Sequence, residues 1–86
     1  MIRYLAVQYV PRNIRVNGVV PGAFPHPTSK DKPGFARFMQ YLADKTPMKR
    51  IGRQEELAGP VIFLASDEDS FVTGHCLAVD GGWTIW

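Results

Sequence analysis

His26, His75 and Cys76 are the residues of this chain best suited to ligating a metal, but their positions do not form a ligand set. No metal site is expected. Cys76 is the single cysteine, so an internal disulfide is excluded, which fits a reducing compartment. Two glycine-bearing turns follow apolar, β-branched runs: Pro21-Gly22 after Val19-Val20, and Asp80-Gly81-Gly82 after Leu77-Ala78-Val79. In the second the glycines allow the positive φ of a tight turn, so it reads as structural. Pro21-Gly22, taken alone, also reads as a turn. Phe35, Phe38, Met39 and Leu42 recur at three- and four-residue steps; they can line an apolar pocket or form core, and core is the preferred reading.

Composition bounds what these residues belong to. The chain has 86 residues, room for one small domain over 1–86 and not for a second. It is 45% hydrophobic, 21% charged and 12% aromatic, the profile of an ordered globular protein. Its net charge is +2, and Arg12, Arg15, Arg37, Lys49, Arg50 and Arg53 are dispersed among acidic residues instead of forming a stripe, so a nucleic-acid partner is not expected. No apolar run approaches the roughly 18 residues of a membrane span, and no secretory leader is recognisable. A soluble, cytoplasmic protein is expected.

The elements that must position these residues are legible from period and punctuation. Ile2, Leu5, Ala6 and Tyr9 fall at helical spacing without a capping residue ahead of them, and Pro11 should end that helix by forcing Val10 out of helical geometry. Residues 14–20 read as a strand buried on both faces, closed by Pro21-Gly22. A long loop rich in proline follows, carrying Pro21, Pro25, Pro27 and Pro33. The spacing predicts a helix over 35–45, stopped by Pro47, and another over 54–66 that opens with Glu55 and Glu56 and turns Leu57, Val61, Leu64 and Ala65 to one side. Pro60 should tighten or bend its first turn. A second strand is expected over 75–79. Two apolar strands joined by so long a helical crossover should be parallel, a βαβ unit with open sheet edges.

Several passages in order carry a family resemblance. Ala6-Val7-Gln8-Tyr9, Pro11-Arg12-Asn13-Ile14-Arg15-Val16-Asn17 and Pro21-Gly22 are followed by Pro47-Met48-Lys49-Arg50-Ile51-Gly52-Arg53, Glu55-Glu56-Leu57-Ala58, Val61 to Asp67, Val72-Thr73-Gly74 and Val79-Asp80-Gly81-Gly82. Together they resemble the C-terminal part of the short-chain dehydrogenases/reductases. The resemblance implies an α/β fold, the C-terminal part of a Rossmann-type doubly wound parallel sheet, with NAD or NADP as cofactor and hydride transfer between nicotinamide and a carbonyl or alcohol substrate. It implies that Pro21, Gly22, Phe24 and His26 form the rim of the nicotinamide site. Phe24 stands where the family has an aliphatic residue whose backbone meets the carboxamide, and His26 replaces the family's threonine. Phe35, Phe38 and Met39 correspond to the helix that covers the substrate. The glycine-rich pyrophosphate turn and the catalytic serine have no counterpart. The family's general acid or base is a tyrosine followed four residues later by a lysine; after Tyr4 and Tyr9 those positions hold Gln8 and Asn13, so no catalytic residue is assigned.

The chain is therefore expected to be inactive alone and to depend on a missing N-terminal portion, or on self-association into a homo-oligomer through its open edge and its apolar tail of Trp83, Ile85 and Trp86. The alternative is a non-enzymatic, self-associating α/β module.

Overall fold

The computed structural model describes residues 1–25 and 32–85. Helix α1 spans Ile2–Tyr9 and continues into a 3-10 turn at Val10–Arg12; strand β1 covers Gly18–Pro21, helix α2 Phe35–Lys45, helix α3 Gln54–Ala65 and strand β2 Cys76–Val79. Short 3-10 turns at Asp67–Asp69 and Trp83–Ile85 follow α3 and β2. His26, Thr28 and Trp86 lie outside the described residues.

The strands are parallel and adjacent, with Gly18 opposite Cys76, Val19 opposite Leu77, Val20 opposite Ala78 and Pro21 opposite Val79. This is the crossover expected from the sequence. Alternation along the strands sends Val19 and Leu77 to one face and Gly18, Val20, Cys76 and Ala78 to the other. Helix α3 packs on both strands, and Val19 shares a groove with its Val61 and Leu64. Helix α1 approaches the opposite face near the strand starts: Ile2 Cδ1 and Cys76 Sγ lie 3.5 and 3.6 Å from where a Gly18 side chain would begin. Val20 and Ala78, farther along that face, stay exposed.

Two expectations need correction. The first helix ends at Tyr9, ahead of Pro11 as expected, but Val10 is not forced out of helical geometry. That residue keeps helical angles (φ −57°, ψ −37°), and Pro11 is accommodated near the start of the 3-10 turn, where a backbone N–H is not required. The 3-10 turn that continues the helix is ended by Asn13, left-handed at φ 61°. The Asn13 N–H donates to Val10 O at 2.9 Å and the Ile14 N–H to Tyr9 O at 3.3 Å, the paired bonds of a Schellman cap.

The strand expected over 14–20 starts only at Gly18. Ahead of it, the Gly74 N–H still donates to Val16 O at 2.8 Å, and side chains make the other links: Asn17 Oδ1 accepts from the His75 N–H at 3.0 Å, Asn17 Nδ2 donates to Val72 O at 3.0 Å, and Thr73 Oγ1 accepts from the Val16 N–H at 3.1 Å. As the sequence predicts, α3 is one helix that contains Pro60, over Gln54–Ala65. Its N-terminus is held by Glu56, whose Oε1 accepts from the Arg53 N–H at 2.8 Å, one half of a capping box.

The apolar surface is only partly covered. Among the described residues, Ala6 and Ala43 are the buried apolar side chains and no large side chain is fully buried. Ile62 on the outer side of α3 is 66% exposed, and Phe71 is fully so. A helix as uniformly apolar as α3 ordinarily sits between two layers, and here only one is present.

Candidate functional site

Ligands of open α/β sheets bind beyond the carboxyl ends of the strands, and this is where Pro21-Gly22 lies. The Gly22 N–H donates to Val79 O at 3.0 Å, continuing the pairing past β1. A side chain at Gly22 would begin 2.7 Å from both Cα and Cβ of Asp80, so the close approach of the two chains requires glycine. The following turn, Ala23-Phe24-Pro25, is tied to the segment that opens α3. Ala23 O accepts from the Gly52 N–H at 2.8 Å, and Pro25 O accepts from Gln54 Nε2 at 2.7 Å. The Phe24 ring lies against Gly52, and its own N–H and C=O make no hydrogen bond among the described residues.

Beside this turn is an open cleft of about 400 Å³, lined by Ala23, Phe24 and Gly52, by Thr46 and Met48 of the loop after α2, and by Ala78 to Gly82. Asp80 builds its floor. Its Oδ1 accepts from the Gly82 N–H at 3.0 Å and its Oδ2 from the Thr84 N–H at 3.2 Å. Burial opposes ionisation of this carboxyl, but the hydrogen bonds from Thr84, Gly82 and Trp83 together hold it below its ordinary value. Gly81 and Gly82 take φ of 62° and 97°, as the sequence predicts, and side chains there would press on Thr46 and Pro47. The Met48 N–H donates to Gly81 O at 3.1 Å, which joins the two walls.

Arg50 and Glu56 also line the cleft, as a bidentate pair with both N···O distances 2.8 Å. The hydrogen bond from Arg50, joined by that from the Arg53 backbone, lowers the Glu56 carboxyl to about 2, and the same partner raises the Arg50 guanidinium. The two charges of this pair offset each other, which leaves the Asp80 carboxylate as the other charged group of the lining.

Other expected residues lie elsewhere. Phe35, Phe38 and Met39 are on α2, the first and last half-buried and Phe38 exposed, and none lines the cleft. Tyr4 and Tyr9 are exposed on α1, and neither hydroxyl is hydrogen-bonded among the described residues. Among those residues no group of three or more His, Cys, Asp or Glu side chains gathers as a metal site, and no helix is long and apolar enough to cross a membrane. His75 and Cys76 are exposed at the start of β2.

Sequence reasoning passed over Gly52 and Gln54, which hold the turn, and Arg15 and Asp69, which hold the chain behind it. Arg15 Nη1 meets Asp69 Oδ1 at 2.6 Å, and its guanidinium also donates to the carbonyls of Leu64, Ser66 and Val72 at 3.0 to 3.2 Å. A charge inside an apolar, β-branched run was the available signal, since such a group needs a partner.

A family model described as enoyl-(acyl carrier protein) reductase matches residues 1–84. The chain belongs to the short-chain dehydrogenase/reductase family. It is 41% identical over 85 residues to a 3-oxoacyl-(acyl-carrier-protein) reductase of Thermotoga maritima, and 39% identical over 85 residues to an L-rhamnose 1-dehydrogenase (NAD(P)(+)) of a Sphingomonas strain; each match covers 99% of this chain and 34% of the relative. A solved structure of a short chain dehydrogenase family protein from Francisella tularensis superposes with a TM-score of 0.87 at 32% identity, over 100% of this chain and 39% of that one. The chain thus spans about a third of the length of these family members. The family is one of oxidoreductases, and the β1–β2 pair with its helices is part of the Rossmann-type sheet expected from the sequence.

Proposed function

We propose that this chain supplies one rim of the nicotinamide site of an NAD(P)-dependent oxidoreductase, and that the pyrophosphate cradle and the general acid come from a polypeptide carrying the rest of the fold. The observation that carries the reading is the turn at 23–25: both flanking carbonyls are tied back to residues 52–54, while the N–H and C=O of Phe24 have no partner among the described residues and lie beside a cleft at the strand ends. One donor and one acceptor side by side fit a primary carboxamide, so the residues suit that end of the cofactor. For the pyrophosphate end no glycine-rich helix start is found among the described residues.

When bound, the cofactor supplies the hydride exchanged with a carbonyl or alcohol carbon. This chain's contribution is to bind and to orient. Gly22 lets the turn lie close against Asp80, Phe24 offers its amide pair, and the cleft walls shield that pair from water on one side. No described group is placed to move a proton, so the chain alone is inactive. The uncovered apolar surface of α1, α3 and the tail supports a homo-oligomer, or docking on the complementary polypeptide, and the single cysteine supports a cytoplasmic setting.

The test is titration with NAD+ and NADP+ of the chain alone, and of its mixture with a polypeptide carrying the glycine-rich turn and the Tyr-x-x-x-Lys pair. The Phe24 amide is followed by NMR and NAD(P)H oxidation by absorbance. Turnover and a shifted Phe24 amide are expected only in the mixture. A mixture that binds dinucleotide without moving that amide refutes the rim. Oxidation by the pure chain, abolished by Tyr4→Phe or Tyr9→Phe, refutes the inactivity.

A further inference from the structure

We infer that Gly52 and Gln54 are positioning residues: they clamp the Ala23–Pro25 turn from behind and so set the direction in which the Phe24 backbone pair points. The inference rests on the rim reading only for what that pair faces.

The geometry follows from peptide planarity. Ala23 C=O and Phe24 N–H belong to one planar trans unit and point in opposite directions. Because Ala23 O is held by the Gly52 N–H at 2.8 Å, the Phe24 N–H is turned away from residues 52–54. On the other side, Phe24 C=O belongs to the peptide unit that ends at the Pro25 nitrogen. The pyrrolidine ring fixes Pro25 φ near −65°, so a single soft torsion separates that unit from the Pro25 carbonyl. Gln54 Nε2 anchors this carbonyl at 2.7 Å. Both peptide units flanking Phe24 are therefore restrained by groups from one short segment.

The Phe24 side chain closes the clamp. A Cβ at Gly52 would fall 2.3 Å from Phe24 Cε1 and 2.6 Å from Cζ, a contact that no relaxation short of moving the ring can accommodate. Gly52 is not a left-handed glycine; its lack of a side chain serves the ring alone. Gln54 is the first residue of α3 and is exposed, and nothing in helix formation calls for an amide there; an anchored Pro25 carbonyl does.

The experiment needs no cofactor. In the 86-residue chain, NMR should show the Gly52 Hα resonances displaced by the Phe24 ring current and a rigid Phe24 amide, with an order parameter of about 0.85. Gln54→Glu replaces the donating amide by a carboxylate that can only accept. At pH 7 the Phe24 order parameter should fall toward about 0.6 or below. It should recover as the pH passes below about 4, where the new carboxyl is protonated and donates again. A role in α3 stability alone would not follow that titration. Gly52→Ala should abolish the ring-current displacement; if it fails to fold, Gln54→Glu and Gln54→Ala, exchanges at an exposed position, carry the test. A wild-type chain without the ring-current displacement, or a Gln54→Glu chain as rigid as wild type at pH 7, overturns the clamp. In the mixture with the complementary polypeptide, a bound dinucleotide that leaves the Phe24 amide unmoved while the clamp is intact refutes the rim reading and leaves the clamp standing.

Discussion

Removing the Arg15 side chain should cost more stability than any other single polar truncation in this protein. The Asp69 side chain is 0% exposed, its contact with Arg15 is 2.6 Å, and neither of its oxygens has a hydrogen-bond partner within the described residues apart from that ion pair. Arg15→Ala leaves the carboxylate buried and unpaired, and removes a donor from the carbonyls of Leu64 and Ser66 at the end of α3 and from that of Val72, which keeps Asn17 Nδ2. Breaking one side of a buried pair costs about 3–5 kcal/mol. The Arg15 side chain is 24% exposed, so water reaches part of the cluster, and a value near 3 kcal/mol is expected. For a chain of this length the total stability is about 4–13 kcal/mol, so the loss is a large share of it. Urea denaturation followed by far-UV circular dichroism at one protein concentration measures the difference. The double variant Arg15→Met, Asp69→Leu removes both charges and should recover more than about 1 kcal/mol relative to Arg15→Ala. A single-variant loss below about 1 kcal/mol, or a double variant no more stable than the single, would refute the account of a buried charge held by one partner.

Four further outcomes are expected. Glu56 should titrate near 2, so the stability it contributes is fully present above its ordinary value of 4.5 and is lost as the pH falls between the two; an NMR titration of its carboxyl carbon returning about 4.5 contradicts the Arg50 tie. Gly22→Ala should cost about 1–3 kcal/mol by forcing the turn away from Asp80, and a denaturation midpoint equal to wild type rules that crowding out. Leu64→Ala should cost about 1–2 kcal/mol, below the range for a sealed core because this leucine is half-buried in an open groove; a loss above about 3 kcal/mol means that a partner covers it in solution. Sedimentation over a concentration series should show self-association driven by the uncovered apolar surface, and a monodisperse species near 9.6 kDa at all concentrations counts against it.

Much of the architecture was legible because it depends on neighbours along the chain. The three- and four-residue recurrence of Phe35, Phe38, Met39 and Leu42, stopped by Pro47, gives α2 its bounds of Phe35–Lys45. Glu55 and Glu56 mark the start of α3, the crossover length makes β1 and β2 parallel, and Asp80-Gly81-Gly82 takes its turn because glycine tolerates positive φ. Pro21-Gly22 was legible for a similar reason: a turn closing an apolar strand is a local event.

What tertiary structure decided is where the polar groups find their partners. Arg15 reaches carbonyls 49 to 57 positions away, Gln54 holds a carbonyl 29 positions before it, and the Asn17 side chain adds links at the start of a ladder that the β-branched pattern assigns to the backbone. Asn13, and not Pro11, ends the 3-10 turn that continues the first helix. Hydrophobic period and backbone sterics act within a few residues and can be read from the string. A hydrogen bond between distant segments exists only once packing has brought donor and acceptor together, so the direction of the Phe24 amide pair is decided by Gly52 and Gln54 in the folded chain.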